Sequence, residues 1–374
     1  MNAVLTAQHK LNRRDFLKLA AVAGVTAAGG YVLSEFSPWL NYDQQAEQVR
    51  RPFAGDATGS AKLRELVRYA TLAANGHNTQ PWKFSTEENA IDIYPDYSRR
   101  LAVVDPQDRE LWISLGCALE NLLVAARATG YAAEVIYPDT EDVIQVSLLA
   151  DTPQDDALFN AIPVRQTTRS EYNGQPVESG KLDQLLNLPQ EPGIMLHFVT
   201  SPDERETMLE YVNEGNRHQY ADKAFLDELI AWLRFNRKEA FGSLDGLYTL
   251  SSGNPEIPRL IGQAFVAGTN PQQQADIDAR KLRSSPHALV ITSAAEDKSS
   301  WVRTGQVYER LALTMTALGV QSAFLNQPIE VAGLRAQFQS ALGLGESLPQ
   351  LLVRFGYGDT LPKSLRRPIE NVLV

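Results

Sequence analysis

An internal repeat constrains the fold of this chain more than any other feature of its sequence. The frame D-x3-W-x3-G-x3-E occurs from Asp108 to Glu120 and again from Asp297 to Glu309, and a further glycine follows each copy ten residues later. All five matched positions are separated by 189 residues. Each copy is typical of an amphipathic helix in which the glycine after the tryptophan allows another backbone to approach closely. The repeat therefore predicts two related halves.

The segments around the two copies extend this prediction. Apolar, strand-like runs precede them, at residues 90–94 and 287–292. We therefore expect an α+β chain whose first half covers residues 46–156 and whose second half covers residues 157–374. The second half contains an extra segment, about 202–285, that has no counterpart in the first half.

The N-terminus has the pattern of an export signal. Residues 12–18 have the sequence N-R-R-D-F-L-K, and an apolar run rich in alanine and glycine follows over residues 19–32. This order is typical of a twin-arginine signal. We assign residues 1–45 to this signal and a spacer, and expect the twin-arginine translocation machinery as a partner and a periplasmic location. The run is short for a membrane span and no A-x-A site follows it, so cleavage and retention as an N-terminal membrane anchor both stay open.

Composition excludes several classes of function. The formal net charge of −10 argues against a nucleic-acid partner. The single cysteine, Cys117, rules out an intramolecular disulfide and a cysteine-based metal cage, and its apolar surroundings indicate a small buried filler. The five histidines lack metal-binding spacing, and no G-x-G-x-x-G sequence follows a strand. We therefore predict neither a metal site nor a classical dinucleotide fold.

Three further motifs carry a family resemblance. Residues 73–84 have the sequence A-A-N-G-H-N-T-Q-P-W-K-F, residues 165–172 have R-Q-T-T-R-S-E-Y, and residues 352–373 end in R-R-P-I-E-N-V-L. Together they resemble the nitroreductase family, and in particular its Acg-type FMN-binding branch with a double-length chain and a twin-arginine leader. The resemblance covers nearly everything after Ala61. It implies a nitroreductase-like fold of two fused degenerate half-domains, which form an intramolecular pseudo-dimer, with FMN as cofactor.

The predicted phosphate site follows from this resemblance and from charge. An FMN phosphate is a dianion, which arginine side chains bind through paired, charge-assisted hydrogen bonds. Arg165 and Arg169, four residues apart, are expected on one face of a helix start, with Thr167 supplying a hydroxyl. Either Arg366 or Arg367 is expected to close the pocket, and the family pattern slightly favours Arg367. A solvated basic patch paired with surface carboxylates is the alternative.

The turn before the first strand is the expected contact for the flavin's pyrimidine edge. Pro81 disfavours helix at Gln80, and the side-chain amides of Asn78 and Gln80 suit such an edge. Trp82 is interpreted as a core residue. His77 is either a flavin contact or a plain surface histidine.

The resemblance also implies a backbone N–H near flavin N5, in the segment after the second repeat. Leu325, Asn326 and Gln327 are the candidates, but the family's acidic residue and glycine are replaced here by Asn-Gln, so the donor stays open. Lys281 falls near a family lysine that supports negative charge on the reduced flavin. A charged linker residue is an equal alternative for Lys281.

The distribution of motifs predicts one flavin site per chain. The first half has N-T-Q-P-W but no R-x-S/T-x-R, because Arg50-Arg51-Pro52 has the wrong spacing. The second half has Arg165 and Arg169 but no second N-x-Q-P-W. We therefore expect a single FMN site across the intramolecular interface of a monomeric pseudo-dimer.

Two functions stay open. The first is an FMN-dependent oxidoreductase that reduces a small-molecule electron acceptor, such as a nitroaromatic or a quinone, without a catalytic side chain. The second is a flavin-binding or flavin-sequestering protein, favoured by the insertion and by export, because NAD(P)H is not expected outside the cytoplasm. Residues 236–262 are the expected lid, and Phe235, Phe241 and Tyr248 are expected either to stack on the flavin or to pack against the domain.

Overall fold

The computed structural model of the protein describes residues 29–31 and 34–374. The twin-arginine motif and most of the apolar run after it lie outside the described residues.

The first half contains an antiparallel sheet of four strands in the order β1-β2-β4-β3. In β2 and β4, buried side chains alternate with more exposed ones, as expected for strands with one face on a core. The elements of this half are α1 (Tyr42–Gln48), α2 (Gly59–Ala70), β1 (Trp82–Glu87), β2 (Ala90–Pro95), α3 (Arg109–Ala128), β3 (Tyr131–Ile136), β4 (Ile144–Ala150) and α4 (Ala157–Ala161).

The second half contains a four-stranded antiparallel sheet in the order β5-β8-β10-β9, and a small parallel pair, β6-β7. The predicted α+β class is confirmed. The elements are α5 (Ser179–Leu186), β5 (Ile194–Phe198), α6 (Pro202–Ala221), α7 (Lys223–Trp232), β6 (Leu233–Arg234), α8 (Arg237–Ser243), β7 (Leu247–Tyr248), α9 (Arg259–Ala267), α10 (Pro271–Ser284), β8 (His287–Ser293), α11 (Lys298–Ala317), β9 (Gln321–Phe324), α12 (Gln327–Glu330), α13 (Ala332–Ala341) and β10 (Leu348–Gly356).

The two repeat helices, α3 and α11, cross at their glycines. A Cβ atom added to Gly116 would lie 2.0 Å from the carbonyl oxygen of Val302, and one added to Gly305 would lie 2.0 Å from that of Ile113. Both distances are far below van der Waals contact, so only glycine permits this crossing. The close backbone approach predicted from the repeat is therefore confirmed.

Helix α3 is long and apolar enough to cross a membrane by length and composition, the one such helix among the described residues. It is instead a core helix, because 83% of its most apolar window is buried inside the protein. One hydrophobic cluster contains residues of α3, α11 and both four-stranded sheets, so the two halves share a core.

The C-terminal segment joins the two halves. Phe84 of β1 pairs in parallel with Leu373: its N–H donates to Val372 O over 2.8 Å, and the N–H of Val374 donates to Phe84 O over 2.9 Å. The end of the second half thus adds to the edge of the first sheet, and residues 362–367 pass between the halves. Thr167 pairs in parallel with Ser322 of β9, which fixes the R-x-T-x-R segment at the same boundary.

Candidate functional site

Four arginine side chains converge on a cavity between the two halves. The cavity encloses about 470 Å³ of atom-free space, including space open to solvent, which is within the range of small-ligand pockets. Its polar lining comprises Arg50, Asn75, Asn78, Arg165, Gln166, Thr167, Arg169, Ser251, Ser364 and Arg366. Of the predicted phosphate residues, the structure therefore brings Arg165, Thr167, Arg169 and Arg366 together.

Arg165 is held by a carboxylate but keeps donors free. Its residue is 5% exposed, its Nε lies 2.9 Å from Glu309 Oε1, and one Nη donates to Leu72 O over 3.1 Å. Glu309 is fixed in turn by the N–H of Ala74, at 3.1 Å. The other Nη of Arg165 is buried and has no partner among the described residues. Glu309 thus positions a guanidinium that still has hydrogen-bond donors to offer.

Arg169 lies at the centre of the site. It lines the arginine cavity and both cavities that adjoin it. Within residues 34–374, its guanidinium has neither a hydrogen bond nor an ion pair. Burial lowers its pKa, and the positive charge of Arg354 lowers it further. A buried cation without a partner is unfavourable, so this arrangement is suited to an anion.

Arg366, and not Arg367, lines the cavity. Arg366 donates to Thr71 O at 2.8 Å and to Asn78 Oδ1 at 2.8 Å, while burial and the charges of Arg50 and Arg165 hold its pKa well below the usual range. The side chain of Arg367 instead points to the carbonyl oxygens of Gln80, at 3.3 Å, and of Asn371, at 2.6 Å. The preference for Arg367 was wrong, because the adjacent side chains leave the extended segment on opposite sides.

Arg50 was missed, since its spacing does not fit the family motif. It is 6% exposed, and its two Nη atoms donate to Ala46 O and Ser364 O, each over 2.8 Å. Burial lowers its pKa to about 10, and nearby Arg165 contributes. Local sequence gives no signal for this contact, because Ser364 lies more than 300 residues further along the chain.

A second cavity adjoins the first and is largely apolar on its walls. It encloses about 600 Å³ of atom-free space and shares Ala74, Asn75 and Arg169 with the arginine cavity. The remaining lining residues are Gly76, His77, Glu110, Ile113, Ser114, Cys117, Tyr308, Phe324, Asn326, Glu330 and Leu351. Cys117 is buried as predicted, and its Sγ–H lies 3.3 Å from Gly305 O.

Two backbone donors are available beside this second cavity. The N–H of Leu325 is already bonded to Leu352 O at 3.0 Å, which removes Leu325 from the three candidates. The N–H groups of Asn326 and Gln327 have no partner in the described part of the chain. Lys281 lies at a third, more open cavity, where its Nζ is 3.1 Å from Asp278 Oδ1.

The side-chain amides of Asn78 and Gln80 are committed to the protein. The Nδ2 of Asn78 donates to Gly246 O and Leu365 O, at 3.1 and 3.2 Å, and its Oδ1 accepts from Arg366. Gln80 is fully buried; its Nε2 donates to Leu244 O and its Oε1 accepts the N–H of Arg367. The expected amide contacts with a flavin edge are therefore corrected. Asn78 still lines the arginine cavity, whereas Gln80 and Pro81 lie away from it.

The turn that contains these amides is strained. His77, Asn78 and Gln80 have φ angles of 47°, 54° and 53°, in a region that non-glycine residues seldom adopt. The hydrogen bonds of Asn78 and Gln80 hold this conformation. It directs His77 into the second cavity, where burial and the charge of Arg169 lower its pKa to about 4. His77 is therefore neutral at physiological pH. Trp82 is fully buried in the core, as predicted.

A pair of carboxyl groups, which the sequence analysis also missed, closes one end of the second cavity. Glu110 and Glu330 both line it, and Glu110 Oε1 accepts from Arg109 at 3.0 Å. Burial raises the pKa of Glu110 to about 8, and the charge of Glu330 contributes. Burial also raises the pKa of Glu330, whose Oε2 accepts from Gln219. The end of the cavity can therefore hold a proton near neutral pH.

The insertion reaches the site through residues other than those expected. Tyr248 stacks on Tyr42 with ring centroids 4.4 Å apart, Phe241 meets the same ring edge-on at 6.2 Å, and Phe235 is buried against Gly262. The prediction that these three aromatics stack on a cofactor is therefore corrected. Insertion residues that line the cavities include Leu247, Ser251, Tyr220, Phe225 and Leu229.

Comparisons with known proteins point to one class of enzyme. No family model matches the chain. In sequence, it is 28% identical over 325 residues to a Mycobacterium tuberculosis protein named "Putative NAD(P)H nitroreductase", covering 83% of this chain and 90% of that protein. It is 24% identical over 325 residues to the "Putative NAD(P)H nitroreductase acg" of the same organism, covering 83% and 94%.

Among solved structures, the chain is similar to a nitroreductase with bound FMN from Bacteroides fragilis, with a TM-score of 0.33 and 16% identity over 55% of this chain and 90% of that one. A second is the FMN-dependent nitroreductase NfnB from Mycobacterium smegmatis in complex with NADPH, with a TM-score of 0.38 and 15% identity over 57% and 96%.

Protein groups fill the position that the 189-residue repeat relates to this site. Glu120, the counterpart of Glu309, forms a two-pronged ion pair with Arg310, at 2.8 and 2.9 Å. Gln306, the counterpart of Cys117, accepts a hydrogen bond from Tyr137 at 2.9 Å. The ring of Tyr137 also lies 4.4 Å from the guanidinium of Arg303, the counterpart of Ser114. The second position is thus occupied by side chains that its first-half counterpart lacks.

Proposed function

We propose that this protein is an FMN-binding oxidoreductase of the nitroreductase type, with one cofactor per chain at the boundary of its halves. The observation that carries the proposal is the convergence of Arg50, Arg165, Arg169 and Arg366 on a cavity that continues into an apolar one. The names of the sequence relatives support the reaction class, and the FMN in the titles of the similar structures supports the cofactor.

The charges of the arginine cavity fit a phosphate dianion. Four guanidinium groups face it, and Glu309 is the carboxylate that contacts one of them. The unpartnered Nη of Arg165 and the whole guanidinium of Arg169 are donors that such an anion would satisfy. Charge-assisted bonds of this kind contribute about 1.5–3 kcal/mol each. Thr167 adds a hydroxyl.

The second cavity fits the flavin ring. Ile113, Tyr308, Phe324 and Leu351 provide apolar walls, which exclude water. The free N–H groups of Asn326 and Gln327 are the candidates for orienting the ring by a backbone hydrogen bond. When bound, FMN supplies the hydride and electron transfer, and the protein positions and tunes it. Lys281 lies further out and is paired with Asp278, so its role toward the ring stays a proposal.

The oligomeric state and location belong to the same proposal. The contacts of Arg310 and Tyr137 leave one complete site, which favours a monomeric pseudo-dimer. The leader pattern at residues 12–18 favours export of the folded protein by the twin-arginine machinery, to the periplasm or to its face of the membrane. The electron acceptor is then a small molecule that enters from the third cavity.

The cofactor is tested by releasing flavin from the purified protein and measuring its amount and identity. We expect one FMN per chain. Replacing Arg165 and Arg169 together by alanine should weaken FMN binding at least 100-fold, since two charge-assisted contacts are removed. Arg280→Ala is the matched control, because Arg280 is exposed and pairs only with Glu171 at the surface. Release of FAD, of two flavins, or of none from the unmodified protein would contradict the proposal.

A second candidate is a protein that holds flavin without turnover, and the insertion favours it. Leu247, Tyr220 and Phe225 lie over the entrance to the cavities, so they restrict access to a bound ring. Reduction by NADPH and by dithionite separates the two functions. An oxidoreductase should be reduced by NADPH and reoxidised by a quinone or nitroaromatic, whereas a flavin holder should react slowly with both reductants and retain its FMN.

A further inference from the structure

A segment immediately before the first half is bound across the insertion. We call residues 34–50 the N-terminal strap. At its start, Glu35 is buried and accepts hydrogen bonds from Asn236 Nδ2 and from the N–H of Arg259, each at 3.2 Å. In its middle, Tyr42 is buried and stacks on Tyr248. The strap is therefore fixed to the insertion at two points.

The end of the strap enters the arginine cavity. Helix α1 ends at Gln48, and Arg50 follows it directly. A guanidinium has five N–H groups, and two of those of Arg50 are used on Ala46 O and Ser364 O. The side chain lines the cavity beside Arg165 and Arg366. Its remaining donors face the same space as theirs.

We propose that Arg50 is a fourth arginine ligand of the cofactor phosphate, and that docking of the strap and binding of the phosphate are coupled. The proposal rests on the FMN site described above. The R-x-T-x-R motif and the C-terminal arginine supply the other three ligands, and Arg50 is the one that arrives on a separate, removable segment.

Electrostatics provide the physical reason for the coupling. Arg50, Arg165 and Arg366 are close enough that their charges depress one another's pKa values. A phosphate between them replaces this repulsion by attraction, which favours the docked strap. By thermodynamic reciprocity, a docked strap raises phosphate affinity by the same factor. The neutral part of the flavin gains nothing from this term.

The phosphate contact is tested by comparing FMN with riboflavin, which has no phosphate. Dissociation constants are measured by quenching of flavin fluorescence for the unmodified protein, Arg50→Gln and Arg50→Lys. We expect Arg50→Gln to weaken FMN about 10–100-fold and riboflavin less than about twofold, with Arg50→Lys in between. Arg51→Gln is the control, because its neighbouring side chain is half-exposed and pairs with Glu65.

Each outcome decides the point. Equal weakening of FMN and riboflavin in Arg50→Gln would show that Arg50 only supports the fold, and unchanged FMN affinity would show that it makes no contact; either result overturns the proposal. A failure of the unmodified protein to bind any flavin would instead refute the proposed function.

The coupling has its own measurement. FMN should slow amide hydrogen exchange in α1, whereas riboflavin should not. Tyr42→Ala, which weakens the strap away from the phosphate, should lower FMN affinity about 3–10-fold and leave riboflavin unaffected, as expected for a coupling free energy of 1–2 kcal/mol. Exchange that is the same with and without FMN would overturn the coupling.

Discussion

Replacing Gly305 by alanine tests whether the crossing of α3 and α11 holds the halves together. The new Cβ would lie 2.0 Å from Ile113 O and 2.8 Å from both Cys117 N and Gly116 Cα. An ordinary carbon–oxygen contact is about 3.3 Å or more, so the helices must separate by roughly 1 Å. Overpacking costs about 1–3 kcal/mol when side chains can yield. Here the obstructing atoms are backbone, so we expect a cost at the upper end, partly offset by about 1 kcal/mol of helix propensity.

The net loss of stability should therefore be about 2 kcal/mol, seen as a lower urea midpoint in circular dichroism. Because the site lies on the same boundary, flavin content should fall as well. Gly333→Ala is the matched control: Gly333 lies in helix α13 with no atom within 4 Å of the added Cβ, so that variant should be as stable as the unmodified protein or slightly more stable. Equal midpoints for Gly305→Ala and the unmodified protein would refute the close-packed crossing.

The other predictions concern export and pH. Replacing Arg13 and Arg14 by lysine should leave a folded, flavin-containing protein in the cytoplasm, because the pair is read by a receptor; unchanged export on fractionation would point to another route. Folded Glu110 has a pKa of about 8, above its usual 4.5, so the folded state holds an extra proton between these values. The stability that this proton contributes is complete below pH 4.5 and is lost as the pH rises through 8. Glu110→Gln should therefore flatten the decline in urea midpoint between pH 5 and 8; an unchanged slope would mean that other groups cause it.

The sequence predicted those features that depend on local pattern. The two copies of the repeat identified α3 and α11, because helical periodicity and the absence of a side chain at Gly116 and Gly305 are local properties that determine a close contact in any fold. The spacing of Arg165 and Arg169 likewise placed both on one segment. The burial of Trp82 followed from its apolar strand.

Only the tertiary structure decided which side chains share the site. Arg50 meets Ser364 across the chain, and Arg366 rather than its neighbour turns inward, because the path of the C-terminal segment between the halves sets the direction of each side chain. The amide of Asn78 was a reasonable flavin contact until the packing of residues 246 and 365 against it used its hydrogen bonds.

The insertion shows the same division. Its aromatic residues were correctly expected to be important, but their partner is Tyr42, about 200 residues earlier in the chain. An aromatic side chain packs on whichever apolar surface the fold brings to it, and that surface is set by long-range contacts. Residue type and spacing thus determined the halves, the repeat and the charge of the site, whereas the convergence of four arginines required the folded chain.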